Sequence, residues 1–294
     1  MWRIRFAGIA GLLLLFLPFA HGQVRNLTVA SAASFDPGLP NPGSLAAAFC
    51  DGLTGIDAPI VASQMPLPFE LAGVHVAVGG IAAPILAVAK VTNGYQVNFQ
   101  VPWEAIFVAN ADVKVEQNGS FATTKVVWLS SIGQFFRSQG DTGAFQRAQD
   151  FSLITPSNPA RPGSAISGYL TGLTDTTPHV PTGQPAPFDP LAVLPQKEGG
   201  FYPDQFYRVA ITSGPGDPTL VPTLFLGLTP GLVGVYQVNF VLPPGTDVSH
   251  STVGIQLVRF ACLLDVSIPF RGGCYVGNAQ QFPSKTVQLP VAVN

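Results

Sequence analysis

The sequence predicts an all-β fold arranged as two tandem β-sandwich domains. Three observations carry that reading: a composition poor in helix formers, an internal repeat, and stretches of two-residue alternation. Charged residues are 10% of the 294, against roughly 25% in an average soluble protein. Hydrophobic residues reach 47%, so the chain has a core to bury and is not a solvated tail. Gly (31) and Pro (28) together make about one residue in five, where roughly 12% is usual. Few Glu, Lys and Arg, with frequent turn formers, suit short strands and tight loops rather than helices.

The repeat sets the domain count. Pro42-Gly43-Ser44 opens a segment that ends Asp51-Gly52-Leu53-Thr54. Pro162-Gly163-Ser164 opens another, 120 residues on, that ends Thr171-Gly172-Leu173-Thr174. Tyr95-Gln96-Val97-Asn98-Phe99 then recurs letter for letter as Tyr236-Gln237-Val238-Asn239-Phe240, 141 residues on. The second copy therefore carries 21 extra residues between the landmarks, and the Pro-rich stretch 178–203 is where they fit. The expected organisation is a leader over 1–22, a first sandwich over 23–133 and a second over 134–294 with that insertion. Gln134 to Gln149, polar and rich in turn residues, reads as the link between them.

Strand signals fill both units. Val74, Val76 and Val78 alternate with His75 and Ala77, the period of a strand with one buried face. Val113–Glu116 and Phe121–Trp128 flank Gln117-Asn118-Gly119-Ser120, and Asn-Gly is the strongest two-residue hairpin signal. In both copies of the five-residue repeat, period two puts Tyr, Val and Phe on one face and Gln and Asn on the other. Pro102 and Pro243 close these strands, since proline cannot donate to a ladder. Val253–Phe260 and Thr286–Val293 read as closing strands. About seven short strands per unit is the count of an immunoglobulin-like sandwich.

Compartment follows from the N-terminus. Arg3 and Arg5 precede an apolar run from Phe6 to Phe19, and Ala20 and Gly22 are the small residues of a cleavage site. The run is shorter than the ~20 residues of a membrane span and contains Pro18. A cleaved signal peptide is expected, with Gln23 first in the mature chain and no transmembrane segment after it. Loss of Arg3 and Arg5 takes the net charge from −2 to −4, and no basic stripe remains for nucleic acid.

The order Ala33-Ser34-Phe35, Pro42-Gly43-Ser44, Leu71-Ala72-Gly73-Val74, Tyr95–Phe99 with Val101-Pro102, then Asn158-Pro159-Ala160-Arg161-Pro162-Gly163 and Gly227–Asn239, resembles a bacterial secreted module. It is similar to the uncharacterised C-terminal domain family of large acidobacterial exported proteins, related to IPT/TIG-type immunoglobulin-like domains. The resemblance spans roughly residues 29–293 and implies fold and export. It brings no catalytic residues.

Searches for chemistry return little. His75, His179 and His250 have no metal-ligand spacing, no G-x-S-x-G elbow occurs, and Pro215 spoils Gly214-Pro215-Gly216 as a phosphate cradle. Asp141 and Asp150 could contribute to a calcium site between domains, but turn aspartates are the plainer reading. No enzymatic activity and no cofactor are expected. Cys262 and Cys274, 12 apart around Pro269–Gly273, are the candidate disulfide, worth roughly 2–4 kcal/mol. Cys50 falls on an inward face with residues 46 and 48 and reads as a buried free thiol. Phe201, Tyr202, Phe206 and Tyr207, read as lying in the insertion, are the candidate surface aromatics. The expected function is a non-catalytic spacer, adhesion or assembly module outside the cytoplasm: extracellular, on the cell surface or in the periplasm. The alternative is a carbohydrate-binding module using loop aromatics of the second domain. The partner would be an extracellular protein or a polysaccharide.

Overall fold

The computed structural model describes residues 23–105, 110–129, 132–195, 205–214, 216–261 and 280–293. The expected signal peptide, Phe201, Tyr202, Cys262 and Cys274 lie outside them. Within them the chain is all-β, and no helix is long and apolar enough to cross a membrane.

Ten strands form an N-terminal pair of sheets: β1 (Arg25–Ser31), β2 (Leu45–Asp51), β3 (Ile60–Val61), β4 (Glu70–Leu71), β5 (Val74–Val78), β6 (Ile81–Ala83), β7 (Ile85–Val91), β8 (Gly94–Gln100), β9 (Asn110–Gln117) and β10 (Ser120–Val127). One sheet runs β1-β2-β8-β7-β3 and the other β10-β9-β5-β4, with β6 also on β5. Twelve strands form a C-terminal pair: β11 (Gln134–Phe135), β12 (Arg137–Gln139), β13 (Thr142–Gly143), β14 (Phe145–Arg147), β15 (Ala165–Thr171), β16 (Gln205–Thr212), β17 (Thr219–Pro222), β18 (Phe225–Leu228), β19 (Tyr236–Val241), β20 (Thr252–Ala261), β21 (Gln280–Pro283) and β22 (Val287–Pro290). Here one sheet runs β11-β15-β19-β18 with β14 also on β15, and the other runs β12-β13-β22-β20-β16-β17 with β21 also on β20. Each pair encloses its own apolar core, one drawn from residues 24–126 and one from 135–291.

The local rules behind these elements are visible. Asn118 and Gly119 take φ of 52° and 78° and turn β9 into β10 with Gln117 opposite Ser120, the two-residue turn whose twist matches the strands. In β5, Val74, Val76 and Val78 are buried while His75 is exposed. The repeat is one of geometry as well as letters. Ala46 lies opposite Phe99 and Ile166 opposite Phe240; Cys50 lies opposite Tyr95 and Leu170 opposite Tyr236. Val97, Phe99, Tyr236, Val238 and Phe240 have no exposed surface. On the other face Gln96 Nε2 donates to Asn98 Oδ1 at 2.8 Å, and Gln237 Nε2 donates to Asn239 Oδ1 at 2.8 Å. Tyr236 satisfies its buried hydroxyl by donating to the Thr174 carbonyl at 2.8 Å, and burial pushes its pKa far above the ordinary phenol range.

A second repeat, displaced by 116 residues (Phe35 to Phe151), escapes inspection of the letters. In the first copy Phe35 N donates to Ser31 O, Ser31 N to Asp36 O, Ala32 N to Leu45 O and Gly38 N to Val29 O. In the second, Phe151 N donates to Arg147 O, Arg147 N to Ser152 O, Ala148 N to Ala165 O and Ile154 N to Phe145 O. Both phenylalanines take positive φ, 57° and 56°, and both are exposed. A carboxylate and a serine brace each turn in opposite order: Ser34 Oγ donates to Asp36, whereas Ser152 Oγ donates to Asp150.

Two expectations change. Gln134–Gln149 is not a link: it supplies β11 to β14 of the C-terminal pair, because its alternating Phe135 and Phe145 are core residues 5.5 Å apart between ring centroids. The polar residues between them form a β12–β13 excursion that joins the opposite sheet beside β22. Tyr207 is no surface aromatic. It lies in β16 with 2% exposure, on the inward register shared with Val209 and Ile211. Phe206 also belongs to β16 rather than a loop, its backbone opposite Phe260.

Cys50 is 3% exposed and unbridged. Desolvation, aided by the neighbouring Asp51 charge, pushes its thiol up to about 11. Alkylation of the native protein near about pH 8 should leave Cys50 unmodified, with complete modification once the chain is unfolded. Peptide mapping of the alkylated Cys50 peptide reads this directly.

Candidate functional site: the junction between the sheet pairs

A group of polar side chains bonds across the place where the two sheet pairs meet. β2 begins where β15 ends. Leu45 N donates to Thr171 Oγ1 at 2.9 Å, Thr171 Oγ1 donates onward to Gly234 O at 2.8 Å, and Gly172 N donates to Ser44 Oγ at 3.0 Å. Asn41 Nδ2 adds a bond to Gly172 O at 2.9 Å. Ser44 and Thr171 have no exposed surface, so these are buried bonds whose loss leaves unpaired groups behind.

The insertion of the C-terminal pair forms a second set of contacts. Gly183 N donates to Gln100 Oε1 at 2.6 Å while Gln100 Nε2 donates to Gly43 O at 2.9 Å. Leu67 N donates to Gly183 O at 2.9 Å, and Trp103 N to Thr182 Oγ1 at 3.0 Å. The Trp103 ring lies against Gly43 on one side and meets the His179 ring edge-on, 5.8 Å between centroids. His179 is held in turn by Asp175, 2.8 Å from its Nδ1. The described part of the Pro-rich stretch, 178–195, is thus a clamp over the neighbouring sheet pair. At its base, Val193 pairs with Gly227 and extends the sheet past β18.

A third contact is ionic. Asp36, on the turn after β1, accepts from Lys285 Nζ at 2.6 Å and from Gln134 Nε2 at 3.3 Å. Burial opposes its ionisation, but the hydrogen bonds from Lys285 and Ser34 and the charges of Lys285 and Arg137 hold the carboxyl below the ordinary range. A carboxyl with a lower pKa folded than unfolded stabilises above its unfolded value, and the contribution is lost as pH falls through the folded one. Asp36→Asn should therefore lower Tm by a steady amount from about pH 7 down to about pH 5, with the gap closing below about pH 4. Melts of both proteins across that range check it; a gap that persists at the acid end would remove the Asp36 charge from the account.

The residues singled out in the sequence do not assemble here. Tyr207 is core, and Phe206 is a strand residue remote in sequence from every junction contact named above. Asp141 pairs with Arg137 at 3.2 Å, and Asp150 braces its own turn. Among the described residues no group of three or more His, Cys, Asp or Glu gathers. Gln100, Trp103 and Thr182 carry no signal in the sequence beyond the insertion that holds Thr182, and Thr171 is visible there only as a landmark of the repeat. Comparison with models of known families and with curated proteins returns no match to this chain.

Proposed function

We infer that this protein is an exported, non-catalytic module in which two immunoglobulin-like sandwiches act as one stiff unit for spacing, adhesion or assembly outside the cytoplasm. The observation that carries the reading is the junction: buried hydrogen bonds from Thr171 and Ser44, the Gly183 clamp and the Asp36–Lys285 pair span it together. Two modules joined only by a linker move independently by default. A chain that spends a 21-residue insertion on fixing their relation has a use for that relation. The signal-peptide features of the N-terminus and the resemblance to secreted modules support a role outside the cytoplasm. Small-angle scattering of the purified protein tests it: a profile fitted by the single arrangement is expected, and a broad ensemble of inter-sheet-pair distances would sink the spacer reading.

A carbohydrate-binding role has one observation in its favour. Phe188, in the same insertion, is 75% exposed, and its ring rests on Gly231. Exposed aromatic rings on rigid loops stack on sugar faces. On this reading a glycan array gives a saturable signal that Phe188→Ala abolishes with no change in Tm; a blank array leaves the spacer role alone.

A further inference from the structure

The junction is directional, and each sheet pair owns both kinds of end. Gly43, Ser44 and Leu45, at the entry of β2, meet Thr171 and Gly172, at the exit of β15. Their counterparts at the entry of β15 are Gly163, Ser164 and Ala165. The backbone there is a copy. Gly43 N donates to Val101 O, Val101 N to Ser44 O and Ser44 N to Asn41 O; Gly163 N donates to Leu242 O, Leu242 N to Ser164 O and Ser164 N to Arg161 O. Burial is where the copies part. Leu45 and Gln100 are each 3% exposed beneath the C-terminal pair, while their counterparts Ala165 and Val241 are exposed, Val241 at 37%. Gly43 is buried and Gly163 exposed. Among the described residues, one kind of end surface is covered once and bare once.

We propose that the bare end, formed by Arg161, Gly163–Ala165 and Val241, docks the opposite end of a second copy of this chain, so that molecules add head to tail. Continuity with the junction names the occupant. Within one chain an entry end takes the exit end of a β15-type strand, and the other exit end of that type is Asp51–Gly52 at the close of β2, with the Gln23 backbone beside Gly52. Charge agrees with it. Asn41 reaches Gly172 O across the junction at 2.9 Å. Its counterpart Arg161 is exposed, and the matching target is Gly52 beside the Asp51 carboxylate, whose side chain is 33% exposed. Asp51 Oδ2 already accepts from Asn26 Nδ2 at 2.7 Å and faces Arg25 at 3.9 Å, so an incoming Arg161 would share the carboxylate with Arg25. A contact between two different surfaces leaves one end of each kind open after every addition, so it continues past a dimer into a ring or a filament. This deepens the assembly reading above and rests on it.

Sedimentation velocity over a concentration series of the purified protein tests the proposal. The weight-average mass should climb past that of a dimer through a ladder of species, and high salt should reverse it. Arg161→Glu and Ala165→Arg, both at exposed positions, should each stay monomeric with unchanged Tm. A single monomer at every concentration, a closed dimer, or variants that assemble like the parent overturns it. None of those results touches the stiff-spacer reading, which scattering from one chain decides separately.

Discussion

Replacing Phe240 by Ala should lower the stability of the C-terminal sheet pair by about 3–5 kcal/mol, the range for truncating a fully buried aromatic. Phe240 has no exposed surface, stands opposite Ile166 and meets the Phe145 ring edge-on at 6.4 Å between centroids. Neighbours of that size, each fixed by strand register, cannot collapse into the space, so the cavity term adds to the lost transfer energy. Urea unfolding followed by far-UV circular dichroism reads it, while Trp103 and Trp128, both in the N-terminal half of the described chain, report separately on the other sheet pair. If the junction couples the two pairs, the Trp signal shifts along with the global transition. A Phe240→Ala protein within about 1 kcal/mol of the parent would mean this core repacks freely, contrary to the register argument.

The second large effect is expected at Gly43. Its φ is +82°, and a Cβ there would stand 2.0 Å from the Trp103 ring. Gly43→Ala therefore costs about 1–2 kcal/mol for the left-handed backbone, and a further ~1–3 kcal/mol as Trp103 is forced out. Trp103 carries the Thr182 contact and its ring meets His179, so the clamp should open with it. The expected signature is a red-shifted Trp emission and faster proteolysis within 175–195, with both cores still folded. A cut pattern identical to the parent's would show that the clamp holds without Trp103.

Much of the architecture was legible because backbone physics writes it in short range. The Asn118-Gly119 turn, the Val74–Val78 alternation and the Tyr-Gln-Val-Asn-Phe repeat each needed only neighbouring residues to be read. The Phe35/Phe151 repeat was hidden because the motif is carried by main-chain bonds, and only the phenylalanine is shared where serine and aspartate trade places. Tyr207 was misjudged because the Pro-rich character ends at Pro203, two residues before β16 begins, which made an inward strand residue look like loop. Ser44, Thr171 and Gly172 stand in the repeated landmarks, but nothing in the letters says that they meet. Leu45, Gly172, Gly183 and Gly234 take part through backbone amides and carbonyls, which all residue types but proline possess in full.

The traded serine and aspartate have a consequence for how a duplicated part acquires a new duty. Both turns need one hydroxyl and one carboxylate to brace a phenylalanine in a left-handed conformation, and either order meets that need. With the acid before the ring, as at Asp150, it serves only its own turn. With the acid after the ring, as at Asp36, the same brace also reaches Lys285 and Gln134 on the other side of the seam. Exchanging the pair at 34 and 36 would keep the ancestral scaffold intact and cut only the tether. That turn is a joint whose attachment depends on which side of the phenylalanine the acid stands.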